Sequence, residues 1–377
     1  MPVRKLRAAL TAIFLGTAAA GAAVLVMAAP AQALTVSAKV GPLLNEAKSL
    51  YAAGNYSAAL AKLREADAVK STPDDSAVIN SMKQAIGVKT GDVALGGAAA
   101  AKAKFANDYN AGKYKDVIAD ADILRKNGAL DAQSQLIVGQ AYYKAGDYAG
   151  CVRYAKSLSG NETALQLQAR CAYETGDEVT QRSALEQLVA RSPKAEYWND
   201  LLKLGERARG LSDHNTLDLN RIRLITGAMQ TKDDYVSLGQ FALQFKLAAE
   251  AQTAMEKGAK LLTDDRSQRL LATAKQMAAA NLANEPKALA AANAAPQGDD
   301  LVAVGENMIG EGKAKDAIGV IQNGMKKPLK DANNAQIRLG QAYLAAGQKS
   351  EAVAAFNKVK APEKDAMVAH LWALAAR

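Results

Sequence analysis

Two cysteines, Cys151 and Cys171, are the side chains of this sequence best suited to covalent chemistry. A turn near Gly160 would place a helix over 148–158 antiparallel to a helix over 162–174. The two cysteines would then lie at the same height on facing apolar surfaces, and a disulfide needs Cα atoms within about 7 Å. The sequence predicts a disulfide between them; the alternative is two small buried side chains that pack as alanine would.

The two histidines, His214 and His370, belong to no recognisable catalytic pattern. Asp213 precedes His214, and such a pair can serve a hydrolase, but no activated serine or cysteine motif accompanies it. Asp213 can equally cap the helix that follows. Neither a zinc-ligand spacing nor a phosphate-binding loop is present. We therefore expect a protein that is not an enzyme and holds no cofactor or metal.

Paired amphipathic helices must position these residues, and the clearest pair lies near the C-terminal end. Leu339 and Gly340 are followed by Tyr343, Ala352 and Phe356. This is the LG-x2-Y…A-x3-F spacing of the tetratricopeptide repeat (TPR), and the chain therefore resembles that family. The small residues allow the two helices to cross closely, and the aromatic side chains fill the space on either side.

The same spacing recurs along the chain, which strengthens the resemblance. Further copies contain Val138, Gly139, Tyr142, Cys151 and Ala155; Val304, Gly305, Met308, Ala317 and Ile321; Ala47, Leu50, Ala59 and Leu63; Leu238, Gly239, Ala242, Ala251 and Met255; and, less regularly, Ala169, Ala172, Leu185 and Pro193.

The expected fold is all-α, an α-solenoid of TPR-like helix pairs with a C-terminal capping helix. Aromatic residues are only 5% of the chain, which favours closely packed helices over a sheet. The run YWNDLLKL…LDLNRIRLITGAM…DDYVSLGQFAL also resembles exported bacterial TPR proteins of unknown function. We expect a solenoid over 34–285, a flexible Ala/Pro-rich joint over 286–299, and a helix pair with the capping helix over 300–377.

The first 33 residues have the pattern of a signal peptide. Arg4, Lys5 and Arg7 precede an apolar stretch, and Ala31-Gln32-Ala33 supplies a cleavage site. We expect cleavage after Ala33 and a periplasmic protein, with an uncleaved membrane anchor as the alternative. Removing these residues lowers the net charge from +9 to +6. The basic residues are scattered, so we expect no nucleic-acid partner.

The family resemblance implies a partner-binding surface on the first helix of each pair. In this sequence its positions hold aromatic, amide and cationic side chains that suit an extended peptide, although an ordinary solvated helix face is the alternative. These residues are Lys48, Tyr51, Gln140, Tyr143, Lys144, Arg170, Tyr173 and Lys203.

The function expected from these features is a non-enzymatic periplasmic scaffold that binds a protein or peptide partner through its concave face. The alternative is an accessory scaffold of a cell-envelope polysaccharide or peptidoglycan machine. In either case, the membrane would be contacted only through an uncleaved signal segment.

Overall fold

The computed structural model describes residues 35–158 and 160–377, and within these ranges the chain forms nineteen helices and no strand. The expectation of an all-α fold is confirmed. Residues 1–33, where we expect a signal peptide, lie outside the described ranges. Among the described helices, none is long and apolar enough to cross a membrane.

The chain divides into two compact units: the first extends to Asn107 and includes Lys126–Ala129, and the second comprises Asp108–Arg125 and Leu130–Arg377. In chain order, the first five helices are α1 (Gly41–Ala52), α2 (Tyr56–Val69), α3 (Pro73–Thr90), α4 (Val93–Asn110) and α5 (Tyr114–Lys126). Those that follow are α6 (Ala132–Lys144), α7 (Tyr148–Ser157), α8 (Glu162–Thr175), α9 (Glu178–Arg191), α10 (Ala195–Gly205), α11 (Asp213–Ile225), α12 (Lys232–Gln244), α13 (Ala248–Lys257), α14 (Asp265–Ala294), α15 (Asp299–Gly310), α16 (Ala314–Gly324), α17 (Ala332–Ala345), α18 (Lys349–Phe356) and α19 (Glu363–Ala375).

The first unit is held by a small aliphatic core between α1, α2 and α3. Leu63, Ile79 and Ile86 are fully buried there. Asp75 fixes the start of α3, because its carboxylate accepts hydrogen bonds from the backbone of Ser37 and Ser71, each at 2.9 Å. These bonds stabilise the charged form and lower the pKa of Asp75 well below its usual range.

Helix pairs of the second unit pack through the small residues that the repeat spacing requires. At Gly340, in α17, a Cβ atom would lie 2.4 Å from Cε1 of Phe356, in α18. Gly305 is equally restricted by Ile321 of α16. Any larger side chain would separate the two helices, so glycine at this position permits the close crossing.

The C-terminal helix α19 packs on α11 and α18 within the second unit. Trp372 stacks on Phe356 with ring centroids 5.6 Å apart. Both side chains lie in a buried cluster that also contains Trp198 and Leu202 of α10. The expected capping helix therefore covers earlier helices of its own unit as well as the last repeat.

The structure differs from the sequence expectation at the 286–299 joint. Helix α14 continues through Pro286 to Ala294, so only residues 295–298 separate it from α15. Proline removes one helical hydrogen bond. The cost is tolerated here because Leu282, whose carbonyl loses its donor, is 52% exposed to water. Helices on both sides of this segment belong to the second unit, and the division between units falls at Asn107 instead.

Candidate protein-binding surface

A disulfide between α7 and α8 supports the part of the second unit where most of the expected binding residues lie. Cys151 and Cys171 are bonded, are fully buried, and have Cα atoms 6.0 Å apart. The turn between the two helices contains Gly160 in a left-handed conformation, with φ of 57°. The antiparallel arrangement expected from the sequence is thus the arrangement in the structure.

Tyrosines and cations alternate along this part of the second unit, and each cation lies over the ring of a tyrosine from the preceding repeat. Lys144 Nζ is 4.7 Å from the centroid of Tyr109, Arg170 Cζ is 4.1 Å from Tyr143, and Arg207 Cζ is 5.8 Å from Tyr173. Cation–π attraction holds such pairs together. We call these six residues the tyrosine–cation ladder.

Hydrogen bonds fix two of the three tyrosines of the ladder. The Tyr109 hydroxyl donates to Oε1 of Gln140 at 3.1 Å, and the Tyr143 hydroxyl donates to Oε1 of Glu174 at 2.9 Å. Lys144 Nζ donates to the Tyr109 hydroxyl at 3.1 Å. Burial alone would lower the pKa of Lys144, but this bond and the nearby tyrosines raise it above its usual value. The lysine therefore remains positively charged.

The three cations of the ladder share a further property. Among the described residues, no carboxylate forms an ion pair with Lys144, Arg170 or Arg207, although many other lysines and arginines of the chain have such a partner. Each of these cations lies over a tyrosine ring instead. A surface of this kind is electrostatically complementary to an acidic ligand.

The structure brings five of the expected binding residues together and places the other three elsewhere. Gln140, Tyr143, Lys144, Arg170 and Tyr173 form or support the ladder.

The other three residues have different surroundings. Lys203 is half-buried beside Asp200. Burial raises the pKa of Asp200, and the positive charge of Lys203 partly opposes this rise. Lys48 and Tyr51 belong to the first unit, where Lys48 is exposed and Tyr51 packs on Tyr56 with ring centroids 5.6 Å apart.

Sequence reasoning missed Tyr109, Tyr114, Tyr148 and Arg207, although a signal for the tyrosines is present. Tyr51, Tyr109 and Tyr143 each stand three residues before a turn glycine and five before a second tyrosine, in YAAGNY, YNAGKY and YKAGDY. In all three cases the two rings are in contact across the turn. This repeated pattern marks the helix ends from which the ladder is built.

A buried network of charges occupies the space between α11, α13, α15 and α17. Arg338, which is fully buried, donates to both carboxylate oxygens of Asp218 at 2.7 and 2.6 Å. Arg221 donates to both oxygens of Glu250 at 2.6 and 2.5 Å. Glu306 lies between them, 2.9 Å from Arg221 and 3.0 Å from Arg338.

The network contains three carboxyl groups and only two guanidinium groups. Each arginine is already matched by one carboxylate through two hydrogen bonds, so Glu306 is the acid left over. Burial raises the pKa of Glu306 to about 7 and that of Asp218 to about 6, and Arg221 opposes both shifts. A proton on Glu306 would make the network neutral.

Neither histidine joins a catalytic arrangement in the part of the chain that the structure describes. His370 pairs with Glu186 at 3.3 Å. His214 stacks on Phe245, and burial lowers its pKa. Ser212, rather than Asp213, caps the helix that contains His214. The described residues also contain no group of three or more His, Cys, Asp or Glu side chains suited to a metal ion.

Comparison with known proteins is consistent with these observations. A family model described as a tetratricopeptide repeat matches residues 334–361, which contain α17 and α18. No curated protein matches the chain.

Similar solved structures include a tetratricopeptide repeat protein from Parabacteroides merdae, which is 15% identical with a TM-score of 0.26. The match covers 73% of this chain and 96% of that protein. Another is yeast Tom70, at 13% identity and a TM-score of 0.21, with coverage of 89% and 95%. Superpositions this weak carry no argument about partner or activity. The family match thus identifies one tetratricopeptide repeat at residues 334–361, and the described residues contain further helix pairs of the same kind.

Proposed function

We propose that this chain is a non-enzymatic periplasmic scaffold that binds a protein partner on the tyrosine–cation ladder. Repeats of this type form protein-interaction scaffolds. The ladder is the surface of the second unit where aromatic area, fixed geometry and unmatched positive charge coincide. Tyrosine and arginine are also enriched among the residues that dominate binding energy at protein interfaces.

The observation that carries the proposal is the alternation of tyrosines and unpaired cations along successive helices. A cation without a carboxylate partner contributes little to folding, because it neither fills the core nor closes an ion pair. Stacking on a tyrosine nonetheless limits its freedom, which reduces the entropy that a ligand must overcome on binding. The arrangement suits recognition better than stability.

A site-specific crosslinking experiment tests this proposal. Tyr173 of the ladder is 38% exposed, and Val179 of the next helix is 81% exposed and lies outside the ladder. A photoreactive amino acid at Tyr173 should capture a protein partner in living cells, whereas the same group at the more exposed Val179 should not. Equal capture at both positions, or capture only at Val179, would contradict the assignment.

The periplasmic location is part of the proposal and rests on the basic start, the apolar stretch and Ala31-Gln32-Ala33. The disulfide suits an oxidising compartment. Intact-mass analysis of the periplasmic fraction should give a mature N-terminus at Leu34. Recovery of the protein in the membrane fraction with residues 1–33 retained would favour an anchor.

The alternative function, an accessory scaffold of an envelope polymer machine, is less well supported by the ladder. Sugar rings bind to proteins by stacking on open aromatic faces. Here the ring faces of Tyr109 and Tyr143 are occupied by Lys144 and Arg170. A neutral glycan would have to displace these cations, whereas an acidic ligand would use them.

A further inference from the structure

We infer that the ladder binds an acidic protein segment, whose aspartate or glutamate side chains form ion pairs with the ladder cations. This inference rests on the proposed function and adds the chemistry of the partner. Its basis is the way in which Lys144, Arg170 and Arg207 are held, the hydrogen-bond donors that they keep available, and the partners of the acids that stand beside ladder residues in the sequence.

The positive charges of the ladder belong to one patch of the second unit. Arg170 stacks on Tyr143, and Lys144 directly follows Tyr143 at the end of α6. Arg170 and Tyr173 stand three positions apart in α8, so both project from the same side of that helix. Arg207 in turn lies over the ring of Tyr173. Each tyrosine–cation contact is therefore joined to the next through residues of a single helix.

Stacking on a tyrosine leaves hydrogen-bond donors of the cations available. Arg170 Cζ lies 4.1 Å from the ring centroid of Tyr143. The N–H donors of a guanidinium lie in its own plane, so a stacked arginine can still bind both oxygens of a carboxylate from the side. The exposed Lys144 donates to the Tyr109 hydroxyl at 3.1 Å, and an ammonium group has three such donors. A carboxylate can therefore bind either cation without displacing its tyrosine.

Acids that stand beside ladder residues in the sequence already have partners of their own. Glu206 directly precedes Arg207 but pairs with Arg223, at 2.6 Å. Glu174 accepts from the Tyr143 hydroxyl at 2.9 Å and holds that ring in place. Among the described residues, neither carboxylate forms an ion pair with a ladder cation. An acidic partner can therefore bind the ladder without breaking an ion pair of the chain.

Two labelled peptides of equal length test the chemistry of the partner. The acidic peptide contains glutamate and glycine in equal number, and the amide peptide has glutamine in place of each glutamate. Fluorescence anisotropy with the full chain in low-salt buffer should show binding of the acidic peptide at least about tenfold tighter than of the amide peptide, the combined effect of two or more partly exposed ion pairs. Equal affinity would overturn the inference.

Matched variants test whether the ladder cations are used. Arg170→Gln and Arg207→Gln should each weaken binding of the acidic peptide about fivefold, the effect of one partly exposed ion pair. Arg153→Gln is the control, because Arg153 is an exposed arginine of the neighbouring helix α7 and lies outside the ladder. Weakening by the control as large as that by Arg170→Gln would show that only net charge matters and overturn the inference. Arg207 lies outside a helix and is exposed, so its variant decides the matter if Arg170→Gln does not fold.

Failure of this inference can be separated from failure of the proposed function. If the photoreactive group at Tyr173 captures a protein partner while the two peptides bind equally, the acidic chemistry is wrong and the binding surface stands. If that group captures no partner, the proposed function itself fails. Ladder-dependent binding of polygalacturonate in place of the acidic peptide would overturn the inference in favour of an acidic polysaccharide.

Discussion

Glu306 should make the second unit less stable as pH rises, and replacing it with glutamine should remove this dependence. The pKa of Glu306 is about 7 in the folded chain against an ordinary 4.5. The folded state therefore binds the proton more tightly than the unfolded state, and stability falls as pH rises from about 5 to about 8. At about 1.4 kcal/mol for each unit of pKa difference, the loss amounts to about 3 kcal/mol.

The structure explains why glutamine is a suitable replacement. Its amide oxygen can accept the hydrogen bond that Arg221 donates to Glu306 and can lie near Arg338 as the carboxylate oxygen does. Glutamine carries no charge at any pH. Glu306→Gln should therefore resemble the parent chain at pH 5 and exceed it in stability by up to about 3 kcal/mol at pH 8. Asp218, whose pKa also rises, will leave a smaller dependence of the same sign in both proteins.

Urea unfolding followed by tryptophan fluorescence is the appropriate assay. Trp198 and Trp372 are the only tryptophans, and both are buried in the second unit. Their signal reports the unit that contains Glu306. Measurements should stay above about pH 5, because Asp264, with a pKa lowered by hydrogen bonds from Ser267 and Lys232, loses its stabilising contribution in more acidic solution.

Glu250→Gln is the matched control, because it makes the same chemical change in the same network. Glu250 binds Arg221 through two hydrogen bonds, so its loss leaves a buried guanidinium without its principal partner. This variant should be destabilised by about 3 kcal/mol at both pH values. If Glu306→Gln is likewise destabilised at pH 8, the charged form of Glu306 stabilises the folded chain, its pKa is not raised, and the charge arrangement that we describe is incorrect.

Three further predictions concern the scaffold. Replacing both Cys151 and Cys171 with alanine should lower the free energy of unfolding by about 3 kcal/mol, because the bond closes a loop with a sequence separation of 20. Two free thiols in a non-reducing peptide map of the periplasmic protein would show instead that the bond does not form in the cell. Gly340→Ala should destabilise the chain by about 2 kcal/mol, because the added methyl group would collide with Phe356. Gly319→Ala, in open space within α16, should instead stabilise it by about 0.5–1 kcal/mol. Equal effects of the two variants in thermal unfolding would refute the packing argument. Limited proteolysis should cut within 287–298 before the repeats, at the non-helical residues 295–298 that follow α14, and a first cut inside a repeat would contradict this.

The helix pairs could be predicted from the sequence because their packing depends on residues close together in the chain. Gly340 and Phe356 are 16 positions apart, and their contact follows from one helix turning back on another. The same reasoning failed at Pro286, where we expected a flexible joint and the helix continues. Proline usually ends a helix, but a helix whose surface faces water tolerates the missing bond, and exposure cannot be read from the local sequence.

The charge network could not be predicted, because it depends on distant residues. Asp218 and Arg338 are 120 positions apart, and each resembles an ordinary charged residue on the solvated side of a helix. Only the three-dimensional course of the chain brings α11 and α17 together. Tyr109 and Arg207, two of the six ladder residues, were missed for a different reason: each cation comes from the repeat after its tyrosine, so no single repeat contains a complete pair.

The two groups of charges in the second unit differ in a way that bears on function. In the network, both arginines are matched by carboxylates of the chain, and their contacts close the space between four helices. In the ladder, each cation has a tyrosine beneath it and no carboxylate partner among the described residues. The arginines of the network thus have carboxylate partners within the chain, whereas the cations of the ladder have none among the described residues. This asymmetry is the reason why we place the proposed binding surface on the ladder and not on the network.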